Sequence, residues 1–287
     1  MGIEKYISMK IIKCLVFCGL YVSFAPVLHA EAIHQAALEG NLAAIKSIVA
    51  AQPDAVNSRD QRGDFPLPLA VSKGHNEVVR FLLDNKANLE AKSVEGYTSL
   101  HVAAIMGKPD TAKLLLERKP NVDARDNDLM TPLHWAVGYE EKVIVEMLLT
   151  HHADVNATNK LGNTPLHGAA LKPNAELIKL LLDNHAVVNA RNKDGSTPLS
   201  LACVKGDVKA IEALLAGKAD VNAADNDGDT PLHQAAYNNN VEALRLLIKS
   251  GAIISVRDNQ GITPLSLAIR RGKKEAEVAL RESGATQ

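Results

Sequence analysis

A four-residue phrase returns every 33 residues through most of this chain. Its full form is Thr-Pro-Leu-His, and its strong copies open at Thr98, Thr131, Thr164, Thr197, Thr230 and Thr263. Two weaker copies begin at Glu31 and Phe65. A fixed period of this length is typical of a repeat architecture, in which one small unit is stacked many times. We therefore predict eight stacked units, beginning near residues 31, 65, 98, 131, 164, 197, 230 and 263.

Each unit carries the start and stop signals of a short first helix. Threonine is a favoured N-cap, and proline suits the first helical position because its missing N–H would be unpaired there. A left-handed residue is expected where this helix ends. The residues at that place include Gly40, Gly74, Gly107, Gly206, Asn239 and Gly272.

A second helix follows in each unit. Aliphatic residues at helical spacing form its buried stripe, as at Val78, Val79, Leu82 and Leu83. A further glycine lies two residues before most of the threonines, where a hairpin-like turn needs positive φ. The fold class is therefore an all-α solenoid of about eight helix-turn-helix repeats joined by hairpin-like loops.

The composition agrees with a stack of small units. Aromatic residues make up 3% of the chain, so alanine and aliphatic side chains must build the core layer by layer. The formal net charge is -1, from 32 basic and 33 acidic residues. This balance argues against a nucleic-acid binder that depends on phosphate attraction, and we expect no nucleic-acid partner.

The unit resembles the ankyrin repeat, whose signature is Thr-Pro-Leu-His-x-Ala. Alanine pairs such as Ala103-Ala104 and the phrase Ala-Asp-Val-Asn-Ala at 153–157 and 219–223 also match. The resemblance covers residues 31–284, so we assign 31–287 to one ankyrin-repeat domain. It implies a protein-interaction scaffold without enzymatic activity, in which the hairpin tips and first helices form a concave surface that contacts a protein partner.

The first thirty residues have a different character. Lys5, Lys10 and Lys13 precede an uncharged, mostly apolar run over 14–28, and Ala30 ends a cleavage tripeptide. This order is typical of a secretory signal, and the run is shorter than the about 20 residues that span a bilayer. We interpret 1–30 as a signal peptide of bacterial character, so that the protein is exported, to the periplasm or by secretion. A retained membrane anchor is the alternative, and either Met1 or Met9 is the start.

Four histidines fall in one register of the repeat, at His101, His134, His167 and His233. Consecutive layers of packed helices are about 8–10 Å apart, whereas all the ligand atoms of a zinc ion must lie about 2 Å from that one ion. We therefore interpret each imidazole as a partner of the threonine hydroxyl and backbone at its own helix start, and we predict no metal site.

Other residues that suggest chemistry also have a structural explanation. The acidic segment 225–229 resembles part of a calcium loop, but Ala223 and Gln234 stand where that loop needs acidic ligands. Cys203, the one cysteine after the signal, replaces an alanine of other repeats and is expected to be buried. We find no catalytic constellation, so we predict no enzymatic activity and no cofactor.

Departures from the pattern mark a candidate binding site. Apolar and aromatic residues gather in the third to fifth repeats, at positions where the other repeats are polar. A contiguous apolar patch with Trp, Tyr and Met is typical of an interface. The alternative is repeat decay, with these side chains packing on one another. The candidate partner-binding residues are Tyr97, Ile105, Met106, Leu129, Met130, Trp135, Tyr139, Leu161 and Leu171.

The main functional hypothesis is a non-enzymatic scaffold that binds a protein partner through the concave surface. Two alternatives are a periplasmic inhibitor or immunity-type protein that plugs an enzyme or toxin, and a secreted effector acting on host proteins. The basic end at Arg270, Arg271, Lys273 and Lys274 is interpreted as a solvated cap. Capped ends favour a monomer.

Overall fold

A computed structural model describes residues 29–286 of the chain. Within this range the regular structure is helical, with one short 3-10 helix at Pro53–Asn57 and no β-strand. The predicted signal peptide lies outside the described residues except at its end, since the first helix begins at His29. None of the helices described has the length and apolar character that a bilayer crossing requires.

Sixteen α-helices of the described range form eight consecutive pairs, as predicted. The first four pairs are α1 His29–Glu39 and α2 Leu42–Ala51, α3 Pro66–Lys73 and α4 Asn76–Asp84, α5 Ser99–Ile105 and α6 Pro109–Leu116, and α7 Pro132–Gly138 and α8 Lys142–Thr150. The last four are α9 Pro165–Ala170 and α10 Ala175–Asp183, α11 Pro198–Lys205 and α12 Val208–Ala216, α13 Pro231–Tyr237 and α14 Val241–Lys249, and α15 Pro264–Arg270 and α16 Lys274–Glu282.

The pairs stack in chain order. Each first helix (odd number) contacts the first helices of its neighbouring repeats and the second helix of its own. One continuous core of alanine and aliphatic side chains runs from Ile33 to Ala285 between these layers. The fold class predicted from the repeat is therefore confirmed, and each repeat is stabilised by its neighbours.

The threonines cap the first helices, as predicted. Capping boxes form at Thr98, Thr131, Thr164, Thr197 and Thr230, and the Thr263 side chain accepts from the backbone N–H of Ser266. In each box the threonine side chain and the residue three positions later pair with each other's backbone N–H groups. Loss of such a cap typically costs about 1 kcal/mol of stability.

Glycine suits the hairpin tip of the third repeat for two reasons. Gly96 has a φ of +87°, and a Cβ placed on it would lie 2.8 Å from the backbone nitrogen of Asn127 in the next tip. The tips are this close because they are hydrogen-bonded to each other, as in the 3.0 Å bond from the Asn127 N–H to the Glu95 carbonyl. The left-handed residues expected between the two helices of each pair are also found, from Gly40 to Gly272 and including Asn239.

Cys203 is fully buried and free, as predicted. Burial raises the pKa of its thiol, which keeps it protonated. The side chain therefore packs as a small apolar group in the core of the sixth repeat.

Candidate functional site

Three aromatic rings pack against one another at the first helices of the third and fourth repeats. The Tyr97 and Trp135 rings meet edge to face with centroids 5.7 Å apart, and the Trp135 and Tyr139 rings stack at 6.0 Å. Such pairs contribute about 0.5–1.5 kcal/mol beyond the area that they bury. The cluster fixes the position of Trp135, the one tryptophan of the chain.

Asp126 fixes the indole from the other side. Its Oδ2 accepts a 3.0 Å hydrogen bond from Trp135 Nε1, while Oδ1 accepts from the backbone N–H groups of Asp128 and Met130 at the hairpin tip. The same turn is built in other repeats by Asp60, Ser93, Asn159, Asn192, Asp225 and Asp258. Asp126 thus joins the tip of the fourth repeat to the ring beneath it.

A cleft opens beside this ring, between the fourth and fifth repeats. The residues that line it include Met130, Trp135, Tyr139, Leu161 and Leu171. The cavity volume is about 60 Å³. Since a water molecule needs roughly 10–15 Å³ measured in this way, the cleft has room for one apolar side chain.

Two glycines keep the cleft open. A Cβ on Gly138 would meet no atom within 4 Å outside its own helix, and a Cβ on Gly168 would meet only Val137 Cγ1, at 3.8 Å. Neither glycine has a positive φ, so the backbone does not require it. Glycine in a helix costs about 0.5–1 kcal/mol relative to alanine. The space beside Trp135 is therefore held open at a cost in stability, and neither glycine was among the residues predicted from the sequence.

The fifth repeat shapes the far wall of the cleft. Its first helix ends at Ala170, and Pro173 occupies the turn in which six other repeats have a glycine or Asn239 and the fourth has Glu140. Glu140 and Asn239 adopt φ values of +61° and +60°, which proline cannot reach. The turn of the fifth repeat is consequently different, and Leu171 caps the shortened helix at the edge of the cleft.

Five of the nine predicted residues line the cleft, but the expectation of one exposed patch is wrong for three of the nine. Tyr97, Ile105 and Trp135 are buried, Trp135 with 5% of its surface exposed. Tyr97 and Trp135 are buried because their rings pack on one another, as in the alternative of packing between repeats. The five lining the cleft are Met130, Trp135, Tyr139, Leu161 and Leu171; Tyr97, Ile105, Met106 and Leu129 lie outside it.

An exposed apolar row accompanies the cleft at the hairpin tips. Leu161 and Leu129 are 43% and 40% exposed, and Val94, which the sequence-based site did not include, is 63% exposed. Leu129 occupies the glycine position of the tip with a φ of +59°. A non-glycine residue in this conformation costs on the order of 1 kcal/mol or more, and strain of this kind is concentrated at functional sites.

The four histidines that share one position of the repeat form hydrogen bonds to the next repeat. In His134, Nδ1 accepts from the Thr131 N–H at 3.2 Å and contacts its hydroxyl, while Nε2 donates to the Asn163 carbonyl of the next repeat at 3.0 Å. His101, His167 and His233 make the same set of bonds. The predicted bond to threonine is thus present, whereas the bond to the next repeat was not predicted.

Burial keeps the imidazoles of the third, fourth and fifth repeats neutral. The pKa values of His101, His134 and His167 are lowered to about 4, because burial disfavours the charged form. The described residues contain no group of three His, Cys, Asp or Glu side chains arranged to hold a metal ion. The segment 225–229 is a hairpin tip, in which Asp225 Oδ1 accepts from the N–H groups of Asp227 and Asp229.

Comparison with known proteins gives a family model and several relatives. The model described as ankyrin repeats matches residues 33–128, 133–225 and 206–286. Over 74 residues the chain is 42% identical to the Caenorhabditis elegans "Transient receptor potential cation channel subfamily A member 1 homolog", an alignment covering 25% of this chain and 6% of the relative. Over 65 residues it is 35% identical to "Protein phosphatase 1 regulatory subunit 27" of Homo sapiens and of Mus musculus, covering 23% of this chain and 42% of each relative.

Proposed function

The chain belongs to the ankyrin-repeat family, and from this premise we propose that it binds a protein partner by taking one apolar side chain of that partner into the cleft beside Trp135. Ankyrin repeats indicate a protein-interaction scaffold, and proteins built from them are generally non-enzymatic adaptors. The alignments span less than half the length of each relative, so no activity or partner of the relatives is transferred to this chain.

The proposal rests on one observation: two glycines, Gly138 and Gly168, line the cleft beside the Trp135 ring, whose position is fixed by its neighbours. Gly168 occupies the register position that is Leu69, Val102, Trp135, Leu201, Gln234 and Leu267 in the repeats from second to eighth. With no side chain at this position, Gly168 lines the cleft beside Trp135 without filling it. A buried aromatic anchor beside an empty apolar cleft is the arrangement found at energetic centres of protein interfaces.

Filling the cleft tests the proposal. The full-length chain, the variant Gly168→Leu and the matched control Gln234→Leu serve as bait in extracts of the producing organism, and bound proteins are identified by mass spectrometry. Both substitutions place leucine at the same register position, one inside the cleft and one two repeats away. We expect a partner held by the unmodified chain and the control and lost from Gly168→Leu. Identical partners for all three would refute the proposal.

We also propose that the repeat array acts outside the cytoplasm, in the periplasm or after secretion. Support comes from the basic, apolar and small-residue order of residues 1–30. The intact mass of the protein isolated from its producing organism tests this, because cleavage after Ala30 leaves a chain that begins at Glu31. A cytoplasmic protein that retains these residues would contradict the proposal.

A further inference from the structure

We infer that the segment bound in the cleft is acidic: its apolar side chain enters beside Trp135, and Asp or Glu residues close to that side chain contact lysines of the fifth and sixth repeats. This inference rests on the proposed function of the cleft and specifies the chemistry of the occupant. It follows from the distribution of charge on either side of the cleft.

The charges change sign at the cleft. Five positions of each repeat are compared, which lie one, three and four residues before the threonine and seven and eight residues after it. At these positions the fifth and sixth repeats carry four lysines and one aspartate, which are Lys160, Lys172, Lys193, Lys205 and Asp194. At the same positions the third and fourth repeats carry two acids, Glu95 and Asp128. The wall formed by the fifth repeat therefore has a positive surround, and the wall formed by the fourth has a negative one.

Two of these lysines adjoin residues of the cleft wall. Lys172 follows Leu171 directly, and the backbone N–H of Lys193 donates a 3.0 Å bond to the carbonyl of Leu161. No acidic side chain of the described residues forms an ion pair with Lys172 or Lys193, whereas Lys160 lies 3.7 Å from Asp128. Lys172 and Lys193 are thus placed to contact a ligand anchored between Leu161 and Leu171.

The spacing of the repeats sets the spacing in the ligand. Layers about 8–10 Å apart correspond to about three residues of extended chain, since each residue spans about 3.3 Å. Acidic residues of the ligand should therefore lie within about four residues of its apolar side chain, on one side of it. Exposed ion pairs are weak, so the cleft supplies most of the affinity and the lysines supply selectivity.

A peptide selection tests the inference. A phage-displayed library of random peptides of about twelve residues, long enough to cross about four layers when extended, is panned against the full-length chain. The same library is panned against Lys172→Glu/Lys193→Glu. The control Lys179→Glu/Lys209→Glu reverses two exposed lysines on second helices, α10 and α12.

We expect the unmodified chain to enrich an apolar or aromatic residue with Asp or Glu within about four positions. The double variant should instead prefer Lys or Arg and should bind the original acidic peptides roughly ten-fold more weakly, from two exposed pairs lost and reversed. The control should change their affinity less than about two-fold.

Two results would overturn the inference, and they are distinguishable. Enriched apolar peptides that lack an acidic preference, but that fail to bind Gly168→Leu, would refute the acidic ligand and leave the proposed cleft function standing. Peptides whose binding is unaffected by Gly168→Leu would refute both.

Discussion

The fourth and sixth repeats share one helix-pair architecture and differ in the side chains at the tip and on the first helix. Both first helices begin with a capping box, at Thr131 and at Thr197. The sixth repeat has Gly195 at its tip with a φ of +77° and Leu201 on its first helix; the fourth has Leu129 at +59° and Trp135 at the same positions. Residues that recur therefore build the stack, and residues that depart from the pattern build the surface of the central repeats.

Acidification should produce the largest difference in stability between repeats with a buried histidine in the capping box and the sixth repeat, which has Ser200 there. The histidines of the third to fifth repeats have a folded pKa of about 4, below the ordinary value of 6.5, so the unfolded chain binds more protons between these values. Their stabilisation is complete above about pH 6.5 and is lost as the pH falls to about 4. Each should lower the free energy of unfolding by about 1.4 kcal/mol per pH unit within this window, measured by urea unfolding.

The variant His134→Ser is the control for this effect, because Ser200 occupies the same position of the capping box in the sixth repeat. It should be less stable at pH 7 but lose less stability on acidification. Asp64 acts with the opposite sign, since burial raises its pKa to about 7 and protonation on acidification favours the folded state. An unchanged pH dependence in His134→Ser would show that the buried imidazoles do not cause the loss.

Removing the tryptophan ring should be the next largest effect. Trp135→Ala deletes a buried ring that packs on Tyr97 and Tyr139, so the free energy of unfolding should fall by about 3–5 kcal/mol. At the same register position in the seventh repeat, Gln234→Ala should change it by less than about 0.5 kcal/mol. Equal losses in urea unfolding would mean that the central repeats are no more tightly packed than the regular ones.

Exchanging the tip residues tests whether Leu129 is strained. Glycine adopts this positive φ without strain, so Leu129→Gly should raise the free energy of unfolding, by no more than about 1 kcal/mol. Gly195→Leu imposes this strain and brings a Cβ within 2.8 Å of the Asn226 backbone nitrogen, so it should cost about 1–3 kcal/mol. Thermal unfolding of the two variants measures the difference; a destabilised Leu129→Gly would contradict the assignment of strain.

The smallest effect should be a gain. Gly168→Ala adds a methyl group that meets only Val137 Cγ1 at ordinary contact distance, and Gly138→Ala adds one in open space. Each should raise the free energy of unfolding by about 0.5–1 kcal/mol, because alanine is the better helix former. A loss of stability in either variant would show that the glycine has a packing role instead of keeping the cleft open.

The repeat made the architecture predictable. The period, the threonine caps and the left-handed glycines each depend on local chemistry, so the helix pairs and their ends could be derived from the residues. The segment 225–229 and Cys203 could likewise be assigned to the tip and the core. The signal peptide stays a prediction, since residues 1–28 are outside the described range.

The site was less predictable because it depends on contacts between repeats. The sequence placed Trp135 and Tyr139 in one region, but it did not show that Trp135 is buried under Asp126 and its neighbours. The glycines were overlooked for a related reason: Gly168 signals a cleft only when the ring of the preceding repeat is known to lie beside it. The hydrogen-bond acceptor of His134 Nε2 is the backbone carbonyl of Asn163, 29 residues away in the next repeat, and a backbone acceptor is not marked by any side chain type.

The central claim is that a ligand occupies the cleft beside the one tryptophan of the chain. The Trp135 Nε1–H gives one indole signal in a ¹⁵N-edited NMR spectrum, and it is held at 3.0 Å from Asp126 Oδ2. Titration with the strongest peptide from the selection should move this signal and saturate at the affinity measured independently, and Gly168→Leu should abolish the shift. A signal that stays in place while the peptide saturates the unmodified chain would contradict the claim.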